Sequence, residues 1–534
     1  MKRHYFLILL ALFSVAAARA QTADALLDTV QHASFNFFWD EANPYNGLIK
    51  DRNTSGSACS IASVGFGLTS ICIGIDHGWI TRQAGRDRVL TTLKTFWNGP
   101  QGSSPSGIIG YKGFYYHFLD MNTATRDGDS ELSSIDSGLL LAGIIDAKQY
   151  FSSADSLDGV VRALADSIYY RVDWNWMRNL NPGILMGWNP GTQFGGYGVW
   201  TGYCEAMIMY ILALGSPTHT VPASVWQAWT GGYTWSTYYD FSYVIFPPLF
   251  GHQYSHCWVD FRDIADTYMS GKGITYFENS RRATLAQRAY CIANPGGYAG
   301  YSDSLWGLTA SDGPDGYNAR GAPPDQNDDG TISPTAACGS LPFAPEVAIP
   351  AMRNMFNTYR ANLWMKYGFR DAFNISRNWW DTDVIGIDEG PIVIMIENYR
   401  TQSVWNRYMQ NADIQRGLQR AGFQHINSVE NDPVALPRTV VLFQNYPNPF
   451  NPTTDFEFRI ANFSAGGGSA SGGGFVSLKV YDVLGREVAT LVNEVKGPGE
   501  YTVQWKVEGM ASGIYFYRLD AGRTHVTKKM LILR

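Results

Sequence analysis

The chain has 534 residues, with 41 Lys and Arg against 47 Asp and Glu, for a formal charge of −6 at pH 7. A net negative chain counts against nucleic acid as a partner, because phosphate backbones are bound by Lys and Arg that displace counterions. The six Cys, at 59, 72, 204, 257, 291 and 338, are scattered without a CxxC pair, so neither a dense disulfide framework nor a metal-ligand set is indicated.

Residues 1–20 read as a leader. Lys2 and Arg3 precede the apolar run FLILLALFSVAAA, and Ala18-Arg19-Ala20 offers a small-residue cleavage site before Gln21. That run of 13 is too short to cross a bilayer, and no later stretch is long and apolar enough to do so. The mature chain is expected to be exported without a transmembrane segment.

Residues 21–430 carry recurring helical patterns separated by long loops rich in Gly and aromatics. Six patterns are rich in small residues or apolar nearly all round, at 60–75, 133–147, 203–215, 280–293, 345–356 and 390–400. Beside them lie charged, amphipathic segments such as TRQAGRDRVLTTLKTFW and SLDGVVRALADSIYYRV. A helix apolar on every side is surrounded by protein, and an amphipathic one meets water on one face. Alternation of the two kinds predicts two concentric rings, a mainly α fold with an (α/α)6 barrel; a less regular helical array is the alternative. Inner helices of such a barrel run the same way and share one mouth. Glu131 and Asp136 fall at the start of the second, Glu205 at the third, Arg281 and Arg282 at the fourth, Glu346 at the fifth, and Asp388 and Glu389 at the sixth.

Singly, each acidic residue is what a helix's first turn favours, since it complements the dipole and caps free N–H groups. Together, carboxylates converging among aromatic rings suit hydrolysis of a glycosidic bond. One carboxyl must be protonated to assist the leaving oxygen, and another ionised to activate water. The aromatic content of 14% fits that use, because Trp and Tyr set among Asp, Asn and Gly stack on the apolar faces of sugars, although large cores use them too. DQNDDGTI (325–332) places Asp325, Asn327 and Asp329 at alternate positions but has Ala336 where a calcium loop needs a bidentate acid, so it reads as an Asx-rich turn.

After residue 430 the pattern changes to short strands of period two with Gly and Pro turns, which predicts a small β-sandwich over 438–534. NYPNPFNPTT, YDVLGREVATLV, GIYFYRL and the basic end KKMLILR occur in the order found in the type A sorting domain of the type IX secretion system, which this region closely resembles. The resemblance implies passage through an outer membrane, with that secretion machinery as a partner, and release or display at the cell surface.

The preceding region resembles the glycoamylase-like family, meaning glycoside hydrolase family 144 and its bacterial β-1,2-glucanase relatives. GFYYHFLD (113–120), SELSSIDSGLLLAG (130–143), MGWNP (186–190), PLFGHQYSHCWVDFRD (248–263), WGLTASDGPDGY (306–317) and GIDEGPIVIMIENYR (386–400) carry the likeness. Membership implies an (α/α)6 barrel, catalysis without a metal or other cofactor, anomeric inversion, and a neutral β-1,2-glucan substrate cut internally or released as disaccharides. By motif, Glu205 resembles the general acid, and Asp388, then Asp136, the base. The family often has Gln where this chain has Glu389, which leaves the base open between those two. Candidates to stack on or hydrogen-bond sugar rings, with core packing or ion pairing open for the Trp and Arg residues, are Glu131, Tyr115, Tyr116, His117, Trp188, Trp200, His252, Gln253, His256, Arg262, Arg281, Trp306 and Glu389.

Two other readings compete. A polysaccharide lyase would use a set such as Tyr254, His256, Arg262 and Asn279, although an acidic mouth repels a uronate polymer. A surface protein that binds glycan without turnover would use the aromatics alone.

Overall fold

A computed structural model describes residues 25–426, 441–443, 445, 448–460, 474–496, 499–507, 509–521 and 524–533. The leader expected at 1–20 and the domain boundary near 430–438 lie outside these residues. The chain divides into two compact units, one ending at Ile426 and the other beginning at Asn427.

The first unit is an (α/α)6 barrel. Its inner ring runs through Ile61–Asp76, Ser134–Tyr150, Met207–Gly215, two consecutive 3-10 turns (Leu249–His252 and Tyr254–Cys257), Pro334–Gly339 and Gly386–Arg400, each in contact with the next and the last closing on the first. Residues 61–74, 134–147 and 207–215 are buried throughout, as helices encircled by protein must be. The outer layer comprises residues 25–40 with Arg82–Asn98, Ser156–Tyr170, Tyr276–Ala293, Pro345–Leu363 and Ala412–Arg420.

The fourth and fifth inner positions differ from the sequence expectation. Tyr276–Ala293 and Pro345–Leu363 each bury one face only and belong to the outer layer. Arg281, Arg282 and Glu346 are therefore not at the mouth. Arg281 pairs with Glu346 at 2.6 Å and Arg282 with Glu278 at 2.7 Å, all with partly exposed side chains. The true fourth element holds buried His252, Gln253 and His256, each with at least one tertiary hydrogen bond, although His256 Nδ1 has no partner among the described residues. His252 Nε2 meets the Phe246 carbonyl, Gln253 Nε2 donates to Ala336 O and Ser340 Oγ, and His256 Nε2 meets Ser280 Oγ. A short, polar inner element has no apolar period to reveal it.

Glycines set how closely the inner helices pack. A Cβ on Gly143 would lie 1.9 Å from the Gly65 carbonyl oxygen, and one on Gly65 would lie 2.3 Å from the Leu139 carbonyl oxygen. Here two helix backbones touch, which only a residue without a side chain permits. Gly386 and Gly390 of the sixth helix seat side chains of the first, where a Cβ would lie 2.3 Å from Ser63 Oγ and 2.2 Å from the Phe66 ring.

Short antiparallel pairings then lay loops across the helix starts. Cys59–Ser60 pairs with Phe118–Leu119, Leu132–Ser133 pairs with Gly187–Trp188, and Arg52 bridges Ile385. The second unit is a β-sandwich of two antiparallel sheets. One has the order Val441–Leu442, Thr453–Ile460, Gly499–Lys506; the other has Glu487–Lys496, Gly474–Tyr481, Gly513–Ala521, Thr524–Ile532. Phe456, Phe458, Leu478, Tyr517 and Leu519 fill the space between them.

Gly143→Ala is expected to destabilise the barrel by about 3 kcal/mol or more, because backbone rather than a movable side chain blocks the new methyl. Gly102→Ala, at a glycine with nothing within 4 Å of the added atom, is expected to stay close to wild type. Urea or thermal melts of the two variants read the difference; equal stabilities would contradict the close-packing account.

Candidate functional site

The mouth of the barrel opens into a cavity of about 450 Å³. Ser60, Asp136, Glu205, Tyr254 and Ile387 line it from the starts of the first, second, third, fourth and sixth inner elements, and loops add Arg52, His117, Glu131, Tyr197, Trp200 and Tyr317.

Asp136 is placed by a cap. Ser133 Oγ accepts from the Asp136 backbone N–H at 3.2 Å and donates to Asp136 Oδ2 at 2.5 Å. Ser133 rather than Asp136 is therefore the cap, and the Asp136 carboxylate spends one oxygen on the Ser133 hydroxyl. Oδ1 looks toward His117 Nε2 at 3.6 Å, and His117 Nδ1 lies 3.0 Å from Glu131 Oε1. Burial opposes charge on His117, but Asp136 and the Glu131 bond outweigh it and push the ring up to about 9. Burial likewise opposes charge on Glu131, and the His117 bond and charge hold it below the usual carboxylate range. The imidazole also stacks on Phe118, with centroids 4.0 Å apart.

Glu205 sits in the turn just before Met207–Gly215, so the third helix begins later than its apolar pattern suggests. Ser255 clamps that turn, donating to the Glu205 carbonyl at 3.2 Å while accepting from Ile208 N–H at 3.0 Å. Burial pushes the Glu205 carboxyl up to about 7, and the Asp136 charge adds to the effect against its own backbone N–H. One carboxyl of the cavity is thereby suited to hold a proton near neutrality, while another faces a cationic ring.

Asp388 is buried behind the cavity wall. Burial raises its pKa, and its Oδ2 has no hydrogen-bond partner among the described residues. Thr335 Oγ1 donates to its backbone carbonyl at 2.7 Å. Glu389 is also buried and raised by burial, turned toward Ser34 of the outer layer rather than into the cavity. Of the aromatics expected to contact substrate, Trp200 lines the cavity, its indole N–H donating to Ser134 Oγ at 3.0 Å.

The others are core groups. Tyr115 is fully buried, donating to the Phe96 carbonyl at 3.1 Å, and Tyr116 is buried under Arg126. Trp188 packs against Tyr111 and Trp176, and Trp306 is enclosed in the second apolar cluster. His252 and His256 are pushed down to about 3 by burial, and Gln253 ties the fourth inner element to the fifth, so all three are structural. Arg262 forks onto Asp260 at 2.8 and 2.7 Å, and Arg281 holds the Phe343 carbonyl at 2.7 Å.

The lyase set does not converge. Tyr254 lines the cavity, but His256 is engaged with Ser280, Arg262 with Asp260, and Asn279 with the Val244 backbone. In the 325–332 loop, Asp325 accepts from Asp328 N–H, Asn327 donates to Ala319 O, and Asp329 pairs with Arg320, as in an Asx-rich turn. Sequence reading missed Asp51, Arg52, Tyr197 and Tyr317. They occupy loops with no period, and the only signal for Tyr317 was its place at the end of WGLTASDGPDGY.

Comparison with known proteins places this geometry. The Glycoamylase family model, described as "Putative glucoamylase", matches residues 198–412, and the model of a secretion system C-terminal sorting domain matches residues 444–533. A curated relative, an exo β-1,2-glucooligosaccharide sophorohydrolase (non-reducing end) of Parabacteroides distasonis, is 31% identical over 441 residues, covering 76% of this chain. The chain spans 59% of the length of that relative. Among solved structures, a protein of the glucoamylase description from Bacteroides uniformis is 34% identical with a TM-score of 0.70, covering 76% of this chain and 98% of that one. An endo-β-1,2-glucanase of Chitinophaga pinensis, solved with sophorotriose and glucose, is 30% identical with a TM-score of 0.70, covering 75% and 98%. The second unit is a type IX secretion sorting domain, which directs the protein to the cell surface or the exterior. With 34% and 30% identity to these two structures, each covered over 98% of its length, this chain belongs to the glycoamylase-like family.

Proposed function

We propose that the protein hydrolyses β-1,2-linked glucan with inversion, Glu205 serving as general acid and Asp136 as the base that activates water. The observation that carries this reading is that both carboxyls line one cavity in different electrostatic settings. Glu205 is raised by burial to about 7, and Asp136 is bonded to Ser133 Oγ and faces the imidazole of His117. The substrate class follows the relatives, named as a sophorohydrolase and an endo-β-1,2-glucanase.

In this mechanism the Glu205 proton passes to the glycosidic oxygen as the bond to the anomeric carbon breaks. Asp136 takes a proton from a water that attacks that carbon from the opposite face, so the β-linked sugar leaves as the α anomer. Trp200, Tyr197 and Phe118 offer ring faces to sugar C–H groups, and Arg52 offers hydroxyl contacts at the rim. Asp388, one layer behind, shapes the field of the floor rather than meeting water directly.

Glu205→Gln is expected to lower kcat on β-1,2-glucan by about 10²–10⁴-fold while calorimetry shows oligosaccharide affinity nearly unchanged. Because the acid must carry its proton, wild-type kcat/KM should fall as pH rises through about 7. Full turnover in the variant would overturn the acid assignment, and an absence of turnover in the wild type would favour a binding protein.

Asp136→Asn is expected to cost about 10²–10⁴-fold in kcat and Asp388→Asn distinctly less. The reverse order, measured on the same substrate, would move the base to Asp388.

A further inference from the structure

Three aspartates from two distant segments meet beside the cleft rim. Asp312 follows the strand Ala310–Ser311, and Asp371 and Asp381 flank the paired strands Phe373–Asn374 and Trp379–Trp380. One oxygen from each lies within 4.8 Å of the others. Each carboxylate already has one oxygen held by the protein. Asp312 Oδ2 accepts from Arg52 Nη1 at 2.8 Å, and Asp371 Oδ2 accepts from Asp312 N–H at 2.7 Å. Asp381 Oδ1 accepts from the N–H groups of Thr382 and Asp383 at 2.6 and 3.1 Å.

The second oxygens are the anomaly. Asp371 Oδ1 and Asp381 Oδ2 are buried, on residues only 5% exposed, and have no hydrogen-bond partner among the described residues. The buried Asp388 carboxyl crowds Asp371 further and shares a hydrogen bond with it, and bare buried carboxylate oxygens cost several kcal/mol unless a proton or a positive charge stands beside them. The nearby guanidinium groups supply that charge only at Asp312 Oδ2, through Arg52. Arg320 is engaged with Asp329 and the Ser311 carbonyl, Arg370 donates to the Asp381 carbonyl, and Arg52 pairs with Asp51, Asp312 and Asp383.

We propose that Asp312, Asp371 and Asp381 bind a divalent cation of calcium's size. The donors are all hard oxygens. Three protein carboxylates suit calcium, which takes six to eight oxygen ligands in flexible geometry, whereas magnesium usually keeps several waters and only one or two carboxylates. The cation ties the strand after Leu308 to the 371–383 segment and, through the Asp312–Arg52 pair, steadies a residue that lines the cleft. Three ligands spread over 70 residues have no spacing that a sequence pattern detects.

The test uses the full chain, stripped with a chelator that is then removed, and calcium chloride as the probe at pH 7. Calorimetry is expected to show one calcium per chain with a dissociation constant below about 1 mM. Tm is expected to rise by about 2–4 °C at a hundredfold excess over that constant. Asp381→Asn keeps Oδ1 for its two N–H donors and puts an NH2 in place of the bare oxygen, so calcium affinity should drop at least tenfold and the Tm shift should vanish. Asp371→Asn should do the same and serves if the first variant folds poorly. No calcium uptake at about 10 mM, or uptake undiminished in both variants, would overturn the proposal.

Discussion

The site depends on a contact between two backbones. Where the Ile61–Asp76 and Ser134–Tyr150 helices cross, Gly143 presses on the Gly65 carbonyl, while Gly386 and Gly390 on the sixth helix make room for the Ser63 and Phe66 side chains of the first. At that separation the helix starts lie side by side. Ser60 and Ser133, which cap the first and second helices, then border the same cavity as Asp136. A methyl group at the crossing would spread the helix starts and dissolve the cavity, even though no glycine touches substrate. Packing density and chemistry are thus coupled, with the tightest part of the core setting the width of the mouth.

A ring of parallel helices gathers N-terminal dipoles at one end, and that end tolerates carboxylates better than any other surface of the fold. The charges are not equivalent once gathered. Burial raises Glu205, while Asp136 faces His117, whose ring Glu131 braces from the other nitrogen. The same fold therefore provides a proton donor and an acceptor from residues with nearly equal intrinsic acidity. That division is what hydrolysis of a glycosidic bond requires.

Legibility in the sequence followed the length and polarity of each element. The first, second, third and sixth inner helices showed apolar residues on every side, and the sandwich showed its period of two. Leu249–Cys257 is broken by His252, Gln253 and His256, the last two bonded to partners far along the chain, and Pro334–Gly339 is too short to carry a period. Two outer helices consequently took their places in the reading, and Arg281, Arg282 and Glu346 were drawn to a mouth they do not reach. Glu205, Asp136 and Glu131 were found because they fall at helix starts, and His117 and Trp200 because polar and aromatic side chains cluster in the loops before them. Tyr115, Tyr116, Trp188 and Trp306 turned out to be core groups, since composition does not distinguish a ring that packs from a ring that stacks on sugar. Asp51, Arg52, Asp312 and Asp371 were invisible, lying in loops whose positions are set by tertiary pairing.

The central claim is that two carboxyls at one barrel mouth divide the giving and taking of a proton on opposite faces of a β-1,2-glucosidic bond. Proton NMR of the purified protein acting on linear β-1,2-glucan, recorded within the first minutes, tests it most directly. The account predicts new reducing ends that emerge as the α anomer and relax to the equilibrium mixture. Products that emerge as the β anomer, or a spectrum that does not change, would contradict it.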